Sequence, residues 1–480
     1  MYQEFETVIG IEIHAQINTK TKMFCRCDND SFDKEPNLNV CEVCMGFPGQ
    51  LPVINEEAVK KGTIAAIALG CEIPEYCKFD RKNYFYPDLP KGFQISQFDE
   101  PLSEKGAIEI TLDSGRTKTI RITRLHLEDD AGKLSHVPGG SLVDYNRSGT
   151  PLMEIVSEPD LRNSEEAVAY AREVQNILRF CGSSDADMEK GMMRFDASVS
   201  IRPKGEDKLY NRAEIKNLNS FRSLGAAIDY EAERQISLWN AGEALDKDLT
   251  VGWADDAQKT YVMREKEGSD DYRYFPEPDL PPLHSSKEDL DKLRKMVPEM
   301  PAQKRARYEL EYGLLPDDIR ILTSDLYTAQ YFEEVVSMIK DPKKAVSYIN
   351  TILMKRLNED QIPLKDSKVT PKLLGELIAY VEKGEISNNQ AKGEVFDEMY
   401  DTGKEPAKII EEKGLKVVSD SGELEKVCQS VLDAHPGPVE DYKNGKDKAF
   451  GFLVGMVMKE MKGQGNPQMI NDILMKLIGN

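Results

Sequence analysis

A strict two-residue alternation opens the chain. Ile9, Ile11, Ile13, Ala15 and Ile17 fall on one side, and Glu12, His14 and Gln16 fall on the other. Only an extended strand separates residues in this way, and a strand with one apolar face must lay that face on a core. The pattern returns throughout the first 290 residues. Ile108, Ile110 and Leu112 alternate up to Asp113-Ser114-Gly115, and the alternation then resumes, which predicts a hairpin over 107–128. The apolar phase slips from Ile120 and Ile122 to Leu125 and Leu127. One extra residue flips a strand's faces, so the slip predicts a bulge near Arg124. Phe195, Ala197, Val199 and Ile201 mark a further strand, and Ala213 and Ile215 a shorter one. One strong helix interrupts: Ala167, Ala171, Val174 and Leu178 keep helical spacing behind Asn163 or Ser164 as cap, and it reads as a packing helix.

Pro276, Pro278, Pro281 and Pro282 end this regime. Helical periodicity then runs from Glu288 to about Tyr400, and a second boundary falls near Gly403-Lys404-Glu405-Pro406. The expected organisation is α+β: a sheet-rich domain over 1–290, an all-helical domain over 291–405, and a small helical tail domain over 406–480. A chain of 480 residues is too long for one core, which agrees with several domains. Hydrophobic residues at 40% and charged residues at 31% are ordinary for a globular protein. No run approaches the ~18 apolar residues of a membrane span. The start, MYQEFETVIG, has no basic segment leading into an apolar one, so a cytoplasmic protein is expected.

Eight cysteines are too few for a disulfide scaffold, but four of them cluster. Cys25-x-Cys27 and Cys41-x-x-Cys44 place four thiols on two turns, a spacing that suits tetrahedral zinc within the 25–44 loop. Such a closed site has no open position, so the zinc is expected to be structural. Cys71, Cys77, Cys181 and Cys428 read as ordinary buried thiols.

The polar strand faces carry the chemistry. Residues i and i+2 share a face at ~6.5–7 Å, so Glu12 and His14 point the same way. Arg124, His126 and Glu128 share a face beyond the bulge, as do Arg194, Asp196, Ser198 and Ser200, and Arg212, Glu214 and Lys216. A merely wet sheet face is the simpler account of any one strand. A carboxylate on every strand, mostly beside a cation or imidazole, favours convergence on a hard divalent ion, for which magnesium is the expectation. The stretch from Arg81 to Gly92 is too polar, aromatic and proline-rich for a core strand and reads as a functional loop. No G-x-x-x-x-G-K-[ST] occurs, so phosphate handling would fall to metal and Lys/Arg.

These stretches resemble the B-subunit family of the aspartyl/glutamyl-tRNA(Asn/Gln) amidotransferases. The resemblance runs through Gly10-Ile11-Glu12-Ile13-His14, Cys44-Met45-Gly46-Phe47-Pro48-Gly49, RKNYFYPDLPKGFQISQ at 81–97 and LEDDAGK at 127–133. It continues through VDYNRSGTPLMEIVSEPD at 143–160, RAEIKNLNSFR at 212–222, YRYFPEPDLPPL at 272–283 and GFLVGMVMKEMKG at 451–463, and so covers the whole chain. It implies a mainly antiparallel, glutamine synthetase-like cradle, then a helical domain and a tail that grips tRNA. It implies ATP-dependent phosphorylation of the side-chain carboxylate of Glu-tRNA(Gln) or Asp-tRNA(Asn), then amidation by ammonia. The ammonia would come from a separate amidase, the A subunit, and a small C subunit would clamp the two larger ones. Such an assembly is a carbon–nitrogen ligase using glutamine as amido donor. By resemblance Glu12, His14 and Glu128 are the expected magnesium ligands. Asp196 and Glu214 are either further ligands or guides for ammonia, and Lys82 and Tyr84 line the substrate or ammonia path. The family pattern has a second glutamate where Asp129 stands, so no role is carried over to Asp129. The amidase Gly-Gly-Ser-Ser-Gly-Gly core is missing; Cys181-Gly182-Ser183-Ser184-Asp185 is only superficially close.

A net charge of −21 argues against a chain that coats nucleic acid. Residues 407–480, however, hold ten Lys against eleven Asp and Glu, a net of −1. Lys443, Lys446, Lys448, Lys459 and Lys462 concentrate there, and with the resemblance they suggest a phosphate-contacting surface for tRNA. Two rivals stand beside this reading: a non-catalytic tRNA-binding scaffold, and a small-molecule ammonia ligase.

Overall fold

The opening alternation becomes a central strand of an eight-stranded sheet. Its strands are β1 (Phe5–Gln16), β2 (Ser103–Thr111), β3 (Thr117–Asp129), β4 (Pro151–Ser157), β5 (Met193–Pro203), β6 (Ala213–Leu218), β7 (Leu249–Ala254) and β8 (Lys259–Glu265). They lie in the order β8-β7-β6-β5-β1-β4-β3-β2, antiparallel throughout except for the β6–β7 pair. This computed structural model describes residues 4–265, 272–416, 421–461 and 467–479. It divides into two units, 1–303 and 304–480.

The apolar faces of the strands form one core. Ile9, Ile11 and Ile13 of β1, Leu125 and Leu127 of β3, Met153 and Ile155 of β4 and Phe195, Ala197 and Val199 of β5 are all buried in it. Three helices cover that face: α1 (Glu56–Ala68), α2 (Ser164–Phe180) and α3 (Phe221–Ala241). Asn163 caps α2 by accepting from Glu166 N–H, as its sequence position suggests. The predicted hairpin is β2–β3, and the predicted bulge lies between Ile122 and Arg124 in the β3–β4 ladder.

Two helices went unread in the sequence. α1 buries Gly62 and Thr63 with its alanines, residues that do not mark a helix by periodicity. α3 carries Glu231 and Gln235 on its buried side, and polar residues there blur an apolar stripe. The Arg81–Gly92 stretch also begins as a strand rather than a loop. Asp80–Asn83 pairs with Phe93–Ser96, and Arg81 pairs with Phe275. Its charges are matched locally, Asp80 by Lys78 at 2.6 Å and Arg81 by Glu277 at 2.7 Å, so polarity does not exclude the strand.

The second unit is helical and holds two separate apolar cores among its described residues, one spanning Tyr308 to Leu415 and one spanning Leu424 to Ile478. No described helix is long and apolar enough to cross a membrane.

Candidate active site

The other face of the sheet carries a row of ionisable residues that crosses four strands. His126 of β3 stands opposite Glu154 of β4, Glu154 opposite His14 of β1, and His14 opposite Arg194 of β5. In the next row Glu12 stands opposite Asp196. The β3 bulge is what brings His126 and Glu128 onto this face while Leu125 and Leu127 stay in the core.

His14 is the centre of the cluster. Its Nε2 lies 3.3 Å from Glu154 Oε2, 3.5 Å from Glu12 Oε1 and 3.9 Å from Glu128 Oε1. His126 Nε2 lies 3.5 Å from Glu154 Oε2 and 3.8 Å from Glu128 Oε2. His14, Glu128 and Glu154 offer ligand atoms all within 4.8 Å of one another, and so do Glu12, His14 and Asp196. Ser96 donates its hydroxyl to Glu128 at 3.2 Å.

Charge crowding shows in the titration of these groups. Burial, then the Glu154 carboxylate, pushes Glu12 up to about 8. Burial lowers His126, but Glu154 and Glu128 outweigh it and push the imidazole up to about 9. Burial likewise works against ionised Glu128 and Glu154, yet both are held below the usual carboxylate range by His126 and His14. Among the described residues, His14 Nδ1 and His126 Nδ1 are buried without a hydrogen-bond partner. Acids crowded in this way ionise together only when a cation sits among them. A donor set of carboxylate oxygens with one imidazole fits a divalent ion.

The other expected site residues sit around this cluster. Lys82 lies 5.1 Å from the Tyr272 ring centroid and 6.0 Å from that of Tyr84, and Glu128 and Glu154 help raise its pKa against the cost of burial. Tyr84 donates to Gln94 at 3.3 Å. Glu214 is one step out: Lys216 Nζ bridges it to Asp196, 2.8 Å from each. Asp129 is buried against Lys91 and accepts from Ile95 N–H at 2.9 Å. Asp130 is held by Arg194 at 3.3 Å and Arg147 at 3.4 Å.

Glu154 is the residue that sequence reading passes over. Its neighbours on the same face are Leu152 and Val156, so the strand reads as apolar on both sides. A single carboxylate inside Pro151-Leu152-Met153-Glu154-Ile155-Val156 is the signal that was there to find. His126 and Arg194 stood on recognised polar faces but carried no assigned role.

The four clustered cysteines also meet. Cys25, Cys27, Cys41 and Cys44 place their sulfurs within 4.8 Å of one another, and Cys41 Sγ is 3.8 Å from Cys44 Sγ. A tetrahedron with ~2.3 Å Zn–S arms has edges of about 3.8 Å, so the thiols fit zinc. Hydrogen bonding from Cys25 pushes Cys44 down to about 5, while burial pushes Cys27 up to about 11. Cys77 and Cys428 are buried, whereas Cys71 and Cys181 are only partly so. In the second unit Lys443, Lys446, Lys448 and Lys459 are exposed, and Lys446 pairs with Asp441 at 2.8 Å. Lys462 lies outside the described residues.

Residues 7–291 match the family of the GatB/GatE catalytic domain, and residues 330–478 match the GatB domain. The chain is 48% identical over 476 residues to the B subunit of the aspartyl/glutamyl-tRNA(Asn/Gln) amidotransferase of Persephonella marina, covering 99% of this chain and 100% of that protein. It is 46% identical to the same protein of Carboxydothermus hydrogenoformans, covering 98% of each chain. That of Thermotoga maritima is also 46% identical, with 99% of each chain covered.

Proposed function

The chain belongs to the GatB/GatE family, and on that premise we propose that it is the B subunit of a cytoplasmic tRNA-dependent amidotransferase. In this reading it phosphorylates the side-chain carboxylate of Glu-tRNA(Gln), Asp-tRNA(Asn) or both with ATP. It then directs ammonia onto the activated acyl group to give Gln-tRNA(Gln) or Asn-tRNA(Asn). Ammonia comes from an amidase, the A subunit, and a small C subunit makes up the heterotrimer. The carrying observation is the convergence of Glu12, Glu128, Glu154 and Asp196 about His14 on one sheet face.

The chemistry needs this environment. A carboxylate is a poor acyl donor because its oxygen leaves badly, whereas phosphate leaves well. Phosphoryl transfer depends chiefly on positioning and charge neutralisation. Glu12, His14 and Glu128, with Glu154 added by the geometry, would hold magnesium. When bound, that ion supplies positive charge against the phosphates. Lys82 offers a cation beside Glu128, and Tyr84 walls the same side of the substrate or ammonia path. Asp196 and Glu214, tied together by Lys216, are suited to guide ammonia or to take the proton that ammonium must lose before it attacks. Zinc on the four cysteines would hold the 25–44 loop. The tail lysines would meet tRNA phosphates.

The test is Glu128→Gln in the assembled complex. It should abolish ATP-dependent phosphorylation of the aminoacyl-tRNA while leaving the complex intact. Phosphorylation at the wild-type rate would favour a non-catalytic tRNA-binding scaffold instead.

A further inference from the structure

Lys22 is one of the largest fully buried side chains in the protein, with 0% of its surface exposed. A buried ammonium needs an anion, because an unpaired charge taken out of water is strongly destabilising. Among the described residues no carboxylate pairs with it. Its Nζ donates to the Asn39 carbonyl at 2.8 Å and lies 3.9 Å from Cys44 Sγ. The carbonyl supplies a dipole but no charge, so the anion available to Lys22 is the cysteine cluster.

We propose that Lys22 is a positioning residue for the zinc site, the buried countercation of its thiolates. The inference rests on the zinc reading above. Four thiolates around one divalent zinc leave a net charge of −2 on a centre walled by protein. Lys22 returns one positive charge directly against Cys44, the most buried of the four. Groups behind the ligands commonly change metal affinity by tenfold or more.

The local backbone is shaped to allow the contact. Gly149 has φ of +88°, and a Cβ there would lie 3.3 Å from Cys44 Cβ and 3.5 Å from Lys22 Cδ. Gly149 thus leaves the space in which the lysine stem and the cysteine lie side by side. Its carbonyl accepts from Met23 N–H at 2.8 Å, and its N–H donates to the Asp130 carbonyl at 2.9 Å, which ties the segment carrying Lys22 to the segment that leads into β4.

Zinc release tests this on the full-length chain. Zinc content is measured by elemental analysis, and zinc loss is timed with a colorimetric chelator for wild type, Lys22→Gln and Lys22→Met. Lys22→Gln removes the charge and keeps an N–H donor on a side chain one atom shorter, so it carries the test if Lys22→Met fails to fold. The expected result is about one zinc per wild-type chain, with release at least tenfold faster from Lys22→Gln. Wild type holding zinc and Lys22→Gln releasing it at the same rate would overturn the role of Lys22 and leave the zinc reading standing. A wild-type chain that holds no zinc when purified without chelators would overturn the zinc reading itself, and the countercation role with it.

Discussion

His14 Nε2 and Glu154 Oε2 lie 3.3 Å apart across the β1–β4 ladder, closer than Glu12 at 3.5 Å or Glu128 at 3.9 Å comes to that imidazole. Glu154 also reaches His126, so one carboxylate joins both histidines. Glu154→Gln keeps the shape of the side chain and removes its charge. It should lower ATP-dependent phosphorylation on the order of 100-fold and raise the magnesium concentration needed for half-maximal rate. A rate that falls with no change in magnesium dependence would assign Glu154 to holding the two imidazoles rather than to the ion.

The pH dependence of stability follows from the same crowding. Glu12 releases its proton in the folded chain at about 8, well above its ordinary 4.5. His126 does so at about 9 rather than 6.5. Between pH 6.5 and 8 Glu12 and His126 therefore hold protons in the fold that they have already lost in the unfolded chain, the raised His14 acts in the same direction, and stability falls as pH rises. The lowered Glu128 and Glu154 are ionised in both states across this window and add no slope. The zinc-loaded chain without magnesium should show a melting temperature that declines from pH 6.5 to 9. Added magnesium should flatten the decline, because the ion favours the deprotonated carboxylates. A flat profile without magnesium would show that the cluster is not crowded as described.

Much of this centre was legible because it depends on local parity. Glu12 and His14 are two apart on an alternating strand, and the phase slip in β3 announces Glu128. What was not legible is lateral order. That Glu154 falls between His126 and His14 depends on β4 lying between β3 and β1, and the β1–β4 pairing joins residues more than a hundred positions apart. Arg194 and Asp130 meet by the same long-range arrangement. A buried lysine such as Lys22 leaves no periodic trace at all, since its environment is built from separate turns.

Loss of the cysteine centre should loosen the first unit. Cys41→Ser removes one corner of the 3.8 Å sulfur pair. Zinc content should drop well below one per chain, and the first unit should unfold at lower temperature. Unchanged zinc content would mean that Cys41 is not a ligand.

The tail is best separated after Lys416. Ile409, Ile410 and Leu415 belong to the core that begins at Tyr308, so a cut at 406 would open that core. A chain lacking residues 421–480 should keep the melting behaviour of the first unit and bind tRNA at least tenfold more weakly, with a shallower salt dependence. Lys448 and Lys459 lie on one helix, Asp447–Glu460, eleven residues and about 16 Å apart on one side of it. Reversing both to Glu should weaken binding in the same direction without truncation. Equal affinity in every variant would remove the tail from tRNA recognition.

The bulge at Thr123 makes the active face a matter of odd and even. Ahead of it the even-numbered positions of β3 enter the core, and beyond it the odd-numbered ones do. An even-length insertion or deletion in the hairpin ahead of the bulge preserves that assignment of faces. Loss of the single residue at 123 exchanges them, setting two leucines against Glu154 and burying a histidine and a glutamate under the helices. The charged face of β3 is thus encoded less by the identity of the residue at 123 than by its being there to be counted.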